Sequence, residues 1–171
     1  AVQAVMPVLQ RVSGERIRDE VWKGIMQAGA SRYLEALDSA GLLPWVFPQT
    51  AMLLDQEAVA PHVYRLWDHT LQTIRYLEWM MAYLKWDMPK PHSPKLAQIF
   101  DLVQPYRTEL GSHFDEQLQA GRPRWVLFYI AALYHDVGKP LSRTTDASSE
   151  QHFFTHPHTS AELVGELKEA F

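Results

Sequence analysis

Cysteine is absent from the sequence. Its absence excludes disulfide bonds, zinc sites built from thiolates and cysteine nucleophiles, and it fits a cytoplasmic protein. Long apolar runs are lacking too: no stretch approaches the roughly 20 residues that a helix needs to cross a bilayer, and no signal peptide opens the chain. The formal net charge of -4 leaves no excess of positive charge, which disfavours nucleic-acid binding through bulk charge alone.

Motifs of two common enzyme classes are missing as well. The sequence has no glycine-rich phosphate loop of the Walker type. Ser13 and Ser112 lie in helical patterns, whereas the nucleophile of an α/β-hydrolase lies on a sharp turn between a strand and a helix. Nucleotide hydrolysis by a P-loop and acyl transfer by an activated serine are therefore disfavoured.

Helical periodicity runs through the whole chain. Few stretches alternate with period two, and none of them is flanked by hairpin turns. Hydrophobic residues make up 47% of the 171 residues, which is enough for one sizeable core. We therefore predict an all-α bundle. Because the chain begins with Ala1 and its last helical pattern reaches Phe171 without a stop signal, we expect it to be part of a longer protein.

Helix caps divide the chain into two segments. A first predicted helix is capped by Ser13 and ends near Gly29, and a second is capped by Ser31 and ends at Gly41. The apolar stretch 42–50 is the predicted boundary between a helical segment, 1–50, and a main domain, 51–171. Further helices are predicted at 51–60, 63–85, 94–119 with a break at Pro105, 123–137 and from Pro157 onward, with a polar loop at 141–150.

The pair His135-Asp136 is the most informative local feature, because it lies at the end of the predicted helix 123–137 and just before Gly138. This helix is apolar on every side, which predicts a place in the middle of the bundle. A buried carboxylate is costly unless positive charge compensates it, and unwinding before Gly138 would let both side chains face one metal ion. Lys139 could then contact an anionic substrate. The alternative is ordinary helix punctuation.

Four other histidines are candidates for the same site, and each has a simpler explanation. His69 lies in the helix 63–85 at the edge of its apolar arc. Metal sites in bundles take ligands from facing helices, so His69 is a candidate ligand, and a hydrogen-bonded core histidine is the alternative. His152, His156 and His158 fall within seven residues. Of these, His156 begins the last helix and can face a cleft, and the alternative is a polar loop with surface histidines.

The sequence resembles the HD superfamily of metal-dependent phosphohydrolases in the kinds and order of its candidate ligands: His69, then His135-Asp136, then His156. The stretch 133–140 closely matches the central motif of that family. The stretch 11–20 is similar to the neck of bacterial tRNA nucleotidyltransferases and poly(A) polymerases, in which the neck leads toward an HD-type body. Two further stretches, 67–71 and 152–156, are also similar to HD-containing members of that group.

The resemblance implies a fold, a cofactor and a set of roles. The fold would be an HD-type helical bundle preceded by a helical neck. The ligands of a divalent metal would be His69, His135 and Asp136, and the mixed ligand set suits Mg, Mn, Ni, Co, Fe or Zn. His156 would be an additional ligand or a substrate contact, Lys139 would contact phosphate, and a final Asp ligand would follow Phe171. The nucleotidyltransferase head would precede Ala1.

These roles predict a phosphohydrolase that acts on phosphomonoesters or phosphodiesters of nucleotides or RNA ends, tRNA included. Asp136 and Lys139 are the predicted catalytic residues, and Arg143 joins Lys139 in stabilising negative charge. One alternative is a non-catalytic body that holds RNA beside a nucleotidyltransferase head. Another is a plain bundle whose His and Asp residues are structural. For the RNA-holding alternative, the candidate phosphate contacts are Arg11, Arg16, Arg18, Lys23 and Arg32.

Overall fold

The structure is a computed structural model, and it describes residues 11–54, 56, 64–86, 93–119, 121–147 and 151–170. Helices account for most of these residues. They are α1 (Gly14–Ala28), α2 (Ala30–Ser39), α3 (Leu43–Val46), α4 (Ala51–Leu54), α5 (Leu66–Trp86), α6 (Pro94–Val103), α7 (Arg107–Asp115), α8 (Arg124–Tyr134) and α9 (His156–Ala170). Short 3-10 turns cover Pro48–Thr50 and Gln104–Tyr106.

Two small antiparallel pairs of strands are the sheets of the described residues. β1 (Gln117–Gln119) pairs with β2 (Arg122–Pro123), and β3 (Thr144–Thr145) pairs with β4 (Gln151–His152). The all-α prediction is therefore confirmed, because each pair is only a local hairpin between helices.

The centre of the fold is the contact between α5 and α8. Ile74 of α5 and Val126 and Leu133 of α8 are completely buried, and each such side chain stabilises the fold by about 1.5–3 kcal/mol. Helices α1, α7 and α9 also pack on α8. They do not enclose it, since Leu127 is 42% exposed. The predicted place of α8 in the middle of the bundle therefore holds except on this one face.

The N-terminus of α2 differs from the prediction that Ser31 caps it. The helix begins at Ala30, after Gly29, which has a positive φ of 87°. Ser31 instead lies in the first turn, and its backbone N–H and its hydroxyl donate hydrogen bonds of 3.0 and 2.6 Å to the carboxylate of Glu78 on α5. A distant carboxylate therefore satisfies this helix end, a partner that local sequence cannot reveal.

Three other boundaries also differ. The predicted helix 94–119 breaks near Pro105 as expected, but it ends at Asp115 because residues 117–119 turn back at Gly121 to pair with β2. The loop 141–150 carries β3. Helix α8 ends at Tyr134 rather than at residue 137, so that His135 and Asp136 lie in the turn that follows it.

The stretch 42–50 is more ordered than a connector. It contains α3 and a 3-10 turn, and Leu43 and Phe47 are buried in the core. The helix predicted at 51–60 is present as α4, Ala51–Leu54. Gln56 does not belong to a helix, and residues 55 and 57–60 lie outside the described residues. Among the described helices, none is both long and apolar enough to span a membrane.

Candidate metal centre

The turn after α8 brings His135 and Asp136 to one side. Val137 N–H bonds to the carbonyl of Tyr134 at 3.3 Å, and Lys139 N–H bonds to that of Asp136 at 3.0 Å. On a continued α-helix the two neighbouring side chains would point about 100° apart. The tighter turn lets both approach the same point, which lies beside His69 of α5.

Three ligand atoms converge at this point. His69 Nε2 lies 3.3 Å and His135 Nε2 lies 3.1 Å from Asp136 Oδ2, and the two imidazole nitrogens are 3.4 Å apart. Within the described residues, His69, His135 and Asp136 form a group whose ligand atoms all lie within 4.8 Å of one another and could hold one metal ion. The chemistry of this donor set, two imidazoles and a carboxylate, fits a divalent transition metal.

The orientation of His135 also fits a metal. Its Nδ1 lies 2.7 Å from the carbonyl oxygen of Ala132. A carbonyl can only accept, so Nδ1 carries the proton, and the lone pair of a neutral ring is on Nε2. This is how proteins commonly orient a metal-bound histidine, with the second ring nitrogen donating to a backbone carbonyl.

Asp136 is the most buried member, with a side chain only 4% exposed. Lys139 Nζ lies 2.7 Å from its Oδ2, and His156 Nε2 lies 3.5 Å from its Oδ1. Burial alone would raise the pKa of Asp136, but hydrogen bonds from His135 and Lys139 outweigh it and hold that pKa well below its usual range. Burial also lowers the pKa of His135, but the hydrogen bond to Asp136, the charge of Asp136 and the hydrogen bond to the carbonyl of Ala132 together raise it. The site therefore holds an anionic carboxylate beside the cationic Lys139.

A close approach between the turn and α9 positions these groups. Gly138 N–H donates a 2.9 Å hydrogen bond to Ser160 Oγ, which in turn donates to the carbonyl of His135 at 3.2 Å. A Cβ on Gly138 would lie 2.6 Å from Ser160 N and 2.7 Å from His156 O. Only glycine therefore lets the first turn of α9, which begins at His156, lie against the pair. No pattern in the sequence identified Ser160 as the link between α9 and Gly138.

A second link, between Tyr134 and α9, is also absent from the sequence predictions. Tyr134 is buried and precedes the pair, and its hydroxyl donates to Gln49 Oε1 at 3.0 Å. Gln49 Nε2 donates to Glu166 Oε2 of α9 at 3.2 Å. The rings of Tyr134 and Phe47 also pack edge to face, with centroids 6.3 Å apart. Nothing in the sequence around Gln49 predicts that it joins Tyr134 to Glu166.

Other predicted residues lie further from the three ligand atoms. Arg143 is exposed and donates to Gln56 Oε1 at 2.7 Å, so its role toward phosphate stays a prediction. His152 Nε2 lies 2.8 Å from Asp146 Oδ2 in the β3–β4 hairpin. His158 is exposed on α9, as expected of a surface histidine.

Comparison with known proteins agrees with this geometry. The profile of the HD domain family matches residues 66–171, and the profile described as the probable RNA and SrmB-binding site of polymerase A matches residues 1–54. A similar curated protein is the CC-adding tRNA nucleotidyltransferase of Thermus thermophilus, 26% identical over 151 residues.

That alignment covers 88% of this chain and 26% of the relative, so the chain spans about a quarter of the relative's length. No solved structure matches the chain. The HD profile covers more than half of the chain and includes His69, His135, Asp136 and Ser160. The chain therefore belongs to the HD domain family, and its resemblance to the neck and HD body of tRNA nucleotidyltransferase and poly(A) polymerase proteins is confirmed.

Proposed function

We propose that this chain carries the site of a divalent-metal-dependent phosphohydrolase that acts on phosphomonoesters or phosphodiesters of nucleotides or RNA ends. The observation that carries the proposal is the convergence of His69, His135 and Asp136 on one point beside a lysine. Membership of the HD family supports it, because HD domains are typically metal-dependent hydrolases. The tRNA nucleotidyltransferase relative supports a nucleotide or RNA substrate.

The three ligands would be His69 Nε2, His135 Nε2 and a carboxylate oxygen of Asp136. A bound divalent ion polarises a phosphoryl oxygen and lowers the pKa of a coordinated water. The carbonyl of Ala132 keeps the His135 ring turned toward the ion. The donor set is compatible with Mg, Mn, Ni, Co, Fe or Zn and selects none of them.

Lys139 and His156 would act on the substrate side. Lys139 Nζ now donates to Asp136 Oδ2. If Asp136 Oδ2 served as a metal ligand, Lys139 would be available to donate to an oxygen of the substrate phosphate. The ring of His156 is oriented by its Nδ1, which lies 2.5 Å from the carbonyl oxygen of Phe153. The other ring nitrogen, Nε2, therefore faces Asp136. It can serve as a further ligand or as a hydrogen-bond donor to the phosphate.

The test is hydrolysis by the purified full-length protein, assayed with each candidate metal on phosphomonoester and cyclic phosphodiester nucleotides. Asp136→Ala should lose at least about 100-fold in rate, because removing even a residue that only hydrogen-bonds to a metal ligand costs about 10- to 100-fold. The matched control is Asp68→Ala, since Asp68 is an exposed carboxylate next to His69 in the chain. Absence of activity with every metal, or equal activity in the two variants, would refute the proposal.

A second candidate function, RNA binding by the neck, is favoured by the polymerase A profile over residues 1–54. Arg16 and Arg32 are exposed on α1 and α2 and could contact phosphate. Arg18 and Lys23 already pair with Glu15 and Glu20, so they are weaker candidates.

Replacing both Arg16 and Arg32 with glutamine should lower the affinity for tRNA and reduce its salt dependence. Asp136→Ala should leave that affinity unchanged. Filter binding across a salt series measures both effects. A tRNA affinity that depends on Asp136 and not on these arginines would contradict a separate RNA-binding role for the neck.

A further inference from the structure

Phe154 is the most exposed large apolar side chain of the described residues, with 82% of its surface accessible. It lies in the turn between β4 and α9. Single exposed apolar residues are common and usually need no explanation. Phe154 differs because its ring stacks on the side chain of His152.

One face of the Phe154 ring lies against the imidazole of His152. The two rings are nearly parallel, with centroids 4.9 Å apart and an angle of 11° between their planes. Two contacts hold His152 in turn. Its Nε2 lies 2.8 Å from Asp146 Oδ2, and its backbone pairs with Thr144 in the β3–β4 hairpin. Phe154 therefore stacks on a histidine that is itself oriented by the β3–β4 hairpin.

The stack also lies next to the candidate metal centre along the chain. Phe154 precedes His156 by two residues, a span of at most about 7 Å between Cα atoms. His156 Nε2 lies 3.5 Å from Asp136 Oδ1, and the carbonyl of Phe153 orients its ring. A flat aromatic surface and a proposed phosphate contact, His156, thus belong to the same turn.

We propose that the His152–Phe154 stack is the binding site for the nucleobase of the substrate whose phosphate is bound at Lys139 and the metal. The proposal rests on the proposed phosphohydrolase function, and it adds that the substrate is recognised by its base. Every nucleobase has a flat π-face that stacks on aromatic rings with little dependence on sequence. The ligand can be a mononucleotide or the last nucleotide of an RNA, since both place a base about one ribose away from a phosphate.

The primary test is binding of 2-aminopurine riboside 5′-monophosphate to the full-length protein, followed by the quenching of its fluorescence. This readout requires no hydrolysis. Loss of one base–aromatic stack costs about 1–3 kcal/mol, so Phe154→Ala should raise the dissociation constant about five- to 150-fold. Phe154→Trp keeps a flat ring and should remain within about twofold of the original protein.

Two controls separate base recognition from damage to the site. Tyr106→Ala removes an aromatic side chain that is 59% exposed, on the turn between α6 and α7, and should change nothing. Ribose 5-phosphate, which lacks a base, should compete equally well against the original protein and Phe154→Ala. An RNA ending in a 3′-phosphate, compared with the same RNA carrying an abasic last position, then distinguishes an RNA end from a free nucleotide.

An effect of Phe154→Ala below twofold, or an equal loss of ribose 5-phosphate affinity, would overturn the base-binding site. These outcomes are independent of the Asp136→Ala assay. If hydrolysis is absent while Phe154→Ala selectively weakens binding of the base-containing probe, the phosphohydrolase proposal fails and the base site stands. If Asp136→Ala abolishes hydrolysis while Phe154→Ala changes neither hydrolysis nor binding of the probe, the phosphohydrolase proposal stands and the base site fails.

Discussion

Gly138→Ala would place a methyl group where the first turn of α9 already lies. The new Cβ would be 2.6 Å from Ser160 N, 2.7 Å from His156 O and 2.8 Å from Thr159 Cβ. Two of these atoms belong to the backbone, so no side-chain rotation can relieve the contact. The helix must move away from the turn, and His156 moves with it.

The expected cost follows from two contributions. Forcing an extra methyl group into a packed site costs about 1–3 kcal/mol. Separating the helix from the turn also loses the hydrogen bond from Gly138 N–H to Ser160 Oγ, which contributes about 1 kcal/mol. The free energy of unfolding should therefore fall by about 2–4 kcal/mol. Metal affinity should fall too, because the Ser160 bridge to the carbonyl of His135 is displaced.

Urea unfolding followed by tryptophan fluorescence measures the first effect, and calorimetric titration with the metal measures the second. Gly165→Ala is the matched control, since Gly165 lies within α9 and a Cβ there meets no atom within 4 Å. That change should stabilise the protein by about 0.5–1 kcal/mol through helix propensity. If the two alanine variants prove equally stable and bind metal equally well, the close approach does not have the role assigned to it.

Three further predictions concern the same scaffold. Ser160→Ala leaves the buried Gly138 N–H without its acceptor and should lower the free energy of unfolding by about 1–3 kcal/mol, measured in urea. Removal of metal by a chelator should lower the melting temperature of the original protein and leave that of His135→Ala unchanged, because a ligand stabilises only the state that binds it. Glu78→Ala removes both acceptors of Ser31 and should destabilise the protein by about 2 kcal/mol in urea, whereas Glu78→Gln should lose less, since its amide oxygen can still accept one bond.

Sequence patterns predicted the parts of this fold that depend on local chemistry. The apolar run before His135-Asp136 indicated a central helix, and α8 is that helix apart from one exposed face. The break near Pro105 follows from the missing backbone N–H of proline. His69 was selected because it lies mid-helix near an apolar arc, and the structure brings it within 3.3 Å of Asp136.

The parts that sequence did not reveal depend on contacts between distant residues. Ser31 was expected to cap its own helix, but Glu78, 47 residues away, satisfies that helix end instead. Helix α8 was expected to continue to residue 137. It ends at Tyr134, where the following turn packs against Ser160. Periodicity describes one element at a time, so it cannot show which side chain of another element competes for a backbone group.

The contact between Tyr134 and the stretch 42–50 has a thermodynamic consequence. Leu43 and Phe47 are buried in the same core as Tyr134, and Gln49 joins Tyr134 to Glu166. Detaching the first 50 residues would expose that apolar surface to water and strand the buried Tyr134 hydroxyl. The neck and the HD body should therefore melt in a single transition. Loss of the neck should also disturb Tyr134, the residue that precedes His135.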